Sequence, residues 1–175
     1  IDVECLRQSL DCLAQKYEIL KTSFVQTKSK GIIKQYIVDN RQIELICDCY
    51  EEKYTEEAVK NYAAKDLERG FDLKEDSLMR VALLSFADCD VLIISSHHII
   101  VDGWCNPLVY GDWIRFYNLI MSGEGKKAEQ TASEEKNKVL SDMASSLIAH
   151  IPDILAANKI DVEKSRGVIS DVMID

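Results

Sequence analysis

Two adjacent histidines, His97 and His98, close the apolar run from Val91 to Ser96 and stand just ahead of Asp102, Gly103 and Trp104. An imidazole of ordinary pKa, about 6.5, can take or give a proton near neutrality, and a strand running out into a loop is where a rigid scaffold presents such a group. Asp102, four residues on from His98, is placed to orient the loop or a ring through a hydrogen bond. The same residues also read as plain architecture, because Asp102-Gly103 is a common turn pair and a strand-end imidazole can serve packing alone. Metal ligation is disfavoured: neighbours on a strand point to opposite faces, so His97 and His98 would not share an ion with Asp102. Cys47 and Cys49 alternate onto one strand face, yet no second pair completes a zinc set, and buried structural thiols are expected instead. Trp104, Tyr110, Trp113 and Tyr117 can line a pocket, although helical spacing fits a core face.

The elements that must hold these residues follow from periodicity. Leu6, Leu10, Leu13, Tyr17 and Leu20 recur every three or four residues and predict an amphipathic helix over 3–20. β-branched and aromatic runs then follow at 22–25, 32–38 and 43–46, separated by turn residues, and predict a strand followed by a hairpin. Thr55 as N-cap, Glu56 and Glu57 in the first turn and Gly70 at the stop delimit a second helix. The runs 78–86 and 91–96, joined by Ala87-Asp88-Cys89-Asp90, predict two central strands in a hairpin. A third helix is expected over 107–121, with Pro107 in its first turn, Leu108, Trp113, Ile114, Tyr117 and Ile120 near one face, and Ser122-Gly123 at its end. This order predicts a mixed α/β (α+β) two-layer fold.

The charged, glycine-containing stretch 123–127 reads as a boundary, giving domains 1–124 and 125–175, the latter a short helical tail opened by Ser133, Glu134 and Glu135. The chain has 175 residues, 47% apolar and 29% charged, a composition that excludes disorder and fibre. A net charge of −9 and a pI near 4.9 argue against nucleic acid as a partner. No apolar run approaches the ~18 residues of a membrane span, so a soluble, cytoplasmic protein is expected, with its six cysteines reduced. The start at Ile1, with neither an initiator Met nor a signal-peptide pattern, reads as a piece of something longer.

His97-His98-Ile99-Ile100-Val101-Asp102-Gly103 resembles the HHxxxDG signature of the condensation domains of nonribosomal peptide synthetases. Phe71-Asp72-Leu73 followed by Leu78 to Leu84 is similar to that family's lead into the motif. Lys16-Tyr17-Glu18-Ile19-Leu20-Lys21-Thr22-Ser23-Phe24 resembles its RHExLRTxF pattern. The ordered agreement spans residues 1–124. It implies one lobe of the chloramphenicol-acetyltransferase-like fold and an acyltransferase activity, once joined to a second lobe, that forms amide bonds between thioesters on phosphopantetheine arms. The resemblance implies carrier proteins and the missing C-terminal lobe as partners, and no directly bound cofactor or metal. It gives His98 the role of positioning or deprotonating the acceptor amine, or of stabilising the tetrahedral intermediate. Asp102 becomes the structural partner of a basic residue in the RHExLRT-like segment, and Gly103 keeps the turn tight.

The two family arginines stand here as Lys16 and Lys21, and the family histidine as Tyr17. Lysine keeps the charge and loses the planar fork, so a Lys21 to Asp102 ion pair is the expected support of the loop. His97 is expected to face away from the channel as a packed strand residue. A single lobe supplies half the substrate walls, so the chain alone is expected to be a poor catalyst. A carrier-binding lobe without catalysis is the alternative. Residues 126–175 also resemble the opening helices of γ-glutamyl phosphate reductase, which implies a fusion or a fragment of a proline-biosynthesis enzyme and gives the tail no catalytic residue.

Overall fold

A computed structural model describes residues 1–26, 33–101 and 105–138. Helix α1 (Val3–Lys16) begins where the Asp2 carboxylate accepts the Cys5 amide at 2.8 Å, and it buries Leu6, Ser9, Leu10 and Leu13. The helix stops four residues short of the expectation. Tyr17 leaves helical backbone at φ −110° and ψ 86°, and a 3-10 turn, Glu18–Lys21, brings Leu20 into the core by a tighter path.

Strand β1 (Thr22–Gln26) pairs antiparallel with β2 (Ile33–Ile37), in register from Thr22 opposite Ile37 to Gln26 opposite Ile33. The hairpin therefore joins the first two runs. The third run, β3 (Glu44–Cys49), lies parallel to β4 (Met79–Ser85), with α2 (Glu56–Arg69) between them in the chain. The Asp-Asn-Arg segment that reads as a hairpin turn serves another purpose. The Arg41 guanidinium donates to Ser23 Oγ at 2.7 Å and to the carbonyls of Lys74, Glu75 and Asp76, tying β1 to the approach to β4.

Strand β5 (Asp90–Ser96) returns antiparallel on β4 as expected, so the described sheet runs β3-β4-β5. Six successive β4 residues, Met79 to Leu84, are buried, the signature of a strand covered on both faces. On one face Val81 and Leu83 join α1 and α3 (Asn106–Met121) in the main core; on the other Ala82, Leu84 and Phe86 meet Ala58, Val59 and Tyr62 of α2. β5 is half exposed at the edge of this sheet, so β4 alone is central. The mixed α/β class is the expected one.

Thr55 caps α2 by accepting the Ala58 amide, and Gly70 ends it at φ 62°, both as the sequence predicts. In α3 the buried positions are Val109, Trp113, Phe116 and Ile120, a clean helical stripe, whereas Leu108 and Ile114 are 68% and 59% exposed. A helix over 125–138, here α4, follows Gly123. Its Ala128 and Ala132 are fully buried in the main core, so the compact unit runs from Ile1 to Ser133 rather than ending at residue 124. Residues 134–175 form a second unit, of which only 134–138 are described.

Candidate functional site

The strand-end histidines sit on a tight turn. The His97 amide donates to the Leu78 carbonyl at 2.9 Å, extending the β4–β5 ladder by one bond, and the Ile100 amide closes back on the His97 carbonyl at 3.1 Å. His97 and Ile100 are thus the ends of a β-turn, with His98 and Ile99 at its two corners. Burial of Ile100 and Val101 holds the turn down, while His98 and Ile99 are exposed. An imidazole at such a corner is free to meet a substrate.

His97 is turned inward. Its Nδ1 accepts the Ile99 amide at 3.0 Å, the side chain of the first turn residue satisfying the backbone two residues on. Its ring lies perpendicular to Phe71 with centroids 6.1 Å apart. The Arg80 guanidinium sits 4.0 Å from the centre of the Phe71 ring. Arg80 is itself 2% exposed; its Nη1 donates to the Gly70 carbonyl at 2.7 Å, its Nη2 to the Asp66 carbonyl at 3.1 Å, and its Nε pairs with Asp66 Oδ1 at 3.0 Å. Sequence reasoning missed this link, although a single arginine inside the apolar run Leu78–Leu84 was a signal.

The RHExLRT-like segment has its own partner. Lys16 Nζ and the Tyr17 hydroxyl both donate to Asp112 Oδ2, at 2.5 and 2.6 Å, joining the end of α1 to α3. Burial pushes the Asp112 carboxyl up, but the hydrogen bonds from Lys16 and Tyr17 and the charges of Lys16 and Arg115 outweigh it and leave it below the ordinary value. Burial, then the bond to Asp112, pushes the Tyr17 phenol up. Asp112 too was missed, though it is one of only two charges in α3, the other being Arg115.

Lys21 Nζ reaches the Asp39 carbonyl at 3.5 Å, next to β2. Asp102 and Gly103, with Trp104, lie outside the described residues. Tyr110, Trp113 and Tyr117 do line a cavity of about 330 Å³ with Leu6, Leu92 and Ile94, between α1, β5 and α3, while Trp113 also belongs to the buried core. Cys47 and Cys49 are exposed, contrary to the expectation of buried thiols. Leu45, two residues earlier on that face, packs against the core, whose cover ends before Cys47.

Residues 1–137 match the family model of the condensation domain. The chain belongs to the condensation-domain family. Gramicidin S synthase 2 of Brevibacillus brevis is 34% identical over 143 residues, which is 79% of this chain and 3% of that synthase. Among solved structures, the epimerization domain from the third module of tyrocidine synthetase B superposes with a TM-score of 0.63 at 21% identity, over 71% of this chain and 28% of that one. The X-domain from teicoplanin biosynthesis gives 0.58 at 27% identity, over 70% and 26%. The chain therefore spans a small part of the synthases it matches and less than a third of these two solved domains. The fold of this condensation-domain fragment is that of the chloramphenicol-acetyltransferase-like lobes, as expected.

Proposed function

We propose that the chain is the N-terminal part of a synthetase condensation domain and that His98 is its catalytic residue in amide formation. The observation that carries this reading is the His97–Ile100 turn, which offers His98 to solvent at a corner held by two buried residues. In the step, the acceptor amine nitrogen attacks the thioester carbonyl carbon, the C–S bond breaks, and the phosphopantetheine thiolate leaves. The amine proton passes by way of His98 to that thiolate. His97, Asp102 and Gly103 support the turn, and a Lys21 to Asp102 ion pair holds its far end. The substrates arrive on carrier proteins in the cytoplasm, no cofactor is bound directly, and the remaining part of the domain supplies the other half of the substrate walls.

The test pairs the chain with the remainder of its domain and two loaded carrier proteins, and follows the amide by mass spectrometry. His98→Ala is expected to lower the rate by roughly 10²- to 10⁴-fold with carrier affinity unchanged. Carrier binding with no amide formed by the parent favours a docking lobe instead. Lys21→Ala with parental activity and stability removes the ion pair from the proposal. The reductase likeness of residues 126–175 stands apart: saturable NADPH binding supports it, and no binding ends it.

A further inference from the structure

We propose that Phe71 is a positioning residue for the turn that carries His98, acting by fixing the His97 imidazole as its Nε2–H tautomer. The inference rests on the reading of His98 as the reacting group. The bond from the Ile99 amide to His97 Nδ1 requires a lone pair on that nitrogen, so the proton of the neutral ring belongs on Nε2. That bond crosses the two corners of the turn, and a ring rotated about χ2 would release the Ile99 amide and loosen the corner on which His98 stands. The perpendicular Phe71 ring opposes that rotation.

Phe71 is in turn immobilised by a side chain of the central strand. The Arg80 guanidinium at its ring is buried and held by both the Gly70 carbonyl and Asp66. Gly70, directly before Phe71, has φ 62° and ψ −156°, a backbone region open essentially to glycine, and this sets the direction in which Phe71 leaves α2. The end of α2, the central strand and the catalytic turn are therefore joined through Asp66, Arg80, Phe71 and His97 in succession. The family lead-in motif, Phe71-Asp72-Leu73 with Arg80, acquires a physical task by this route.

Long-range ¹H–¹⁵N NMR of this chain, at a pH of about 8 where an ordinary imidazole is neutral, reads the tautomer directly. The parent is expected to show His97 with an unprotonated Nδ1 and a ring-current shift from Phe71. Phe71→Leu is expected to mix the tautomers and to speed exchange of the Ile99 amide by roughly tenfold. Phe71→Tyr, which keeps the ring, should restore both. A parent with Nδ1 protonated or without the ring-current shift overturns the proposal even if the leucine variant does not fold. So does a folded Phe71→Leu protein with parental tautomer and exchange. None of these readouts needs amide formation, so they stand or fall apart from the His98→Ala assay. In the assembled domain, Phe71→Leu should lower kcat and leave the KM for loaded carrier unchanged, with Phe71→Tyr as the rescue.

Discussion

Asp112 accepts two donors from a segment 95 and more residues away in the chain, and its side chain and that of Lys16 are both largely shielded from water. Charge-assisted bonds in such surroundings are worth more than surface pairs, so Asp112→Asn should cost about 2 kcal/mol in urea unfolding. The pH dependence has a definite sign. A carboxyl whose folded pKa lies below its unfolded value of 3.8 stabilises the protein above that value and loses the contribution as pH falls through the folded one. The parent should therefore lose stability below a pH of about 4 more steeply than the asparagine variant, as read by unfolding midpoints across that range. Thiols divide in the same way by surroundings. Burial, helped by Glu129 and Asp11, pushes Cys12 up to about 11, whereas Cys47, Cys49 and Cys89 are exposed. A thiol reagent at neutral pH should modify those three promptly and Cys12 only after unfolding, a pattern that peptide mass mapping resolves.

No residue of helix α2 is fully buried, so its two caps add to the half-buried packing of Ala58, Val59 and Tyr62 on the sheet. Thr55→Ala removes the bond to the Ala58 amide and should cost about 1 kcal/mol, with Thr55→Ser restoring most of it. Gly70→Ala meets no steric neighbour yet must enter a region that side chains avoid, at roughly 1–3 kcal/mol; calorimetry of the two variants should rank Gly70→Ala as the costlier. Both ends of α2 were legible because caps are local chemistry. The pairing of β4 with β5 was legible too, from the short polar loop between them, but that of β3 was not, because β3 takes its partner from across a helix, and no turn residue between β2 and β3 records that choice. The α3 face was blurred for a different reason: apolar and aromatic side chains occupy both sides of the helix, and only packing into the main core selects Val109, Trp113, Phe116 and Ile120 over Leu108 and Ile114. At the site, the strand-end position of His98 could be read from the apolar run before it. Its support could not, because Phe71, with Arg80 on its ring, meets His97 only after β4 and β5 pair.

The extent of the folding unit is set by which residues complete the core rather than by where the composition changes. Glycine and charge at 123–127 mark a turn, with Gly123 at φ 82°, but α4 then lays Ala128 and Ala132 onto the cluster containing Leu13, Trp113 and Phe116. Two buried methyl groups contribute about 1.5 kcal/mol by transfer alone, and the large side chains they cover add to it. A chain ending at residue 124 should consequently unfold at lower urea than one ending at residue 138, by at least that amount. Its slope against urea should be smaller, because less surface is left to expose on unfolding. Equal midpoints and slopes for the two would mean that the core is complete before α4 and that the folding boundary lies at the glycine turn. The same comparison bears on the site, because Val109 and Trp113 in that core also anchor the first turns of α3, a few residues beyond the histidine turn in the chain. Loss of α4 should therefore appear as faster amide exchange at Ile100 and Val101 before global unfolding, measured on the two chains at equal denaturant.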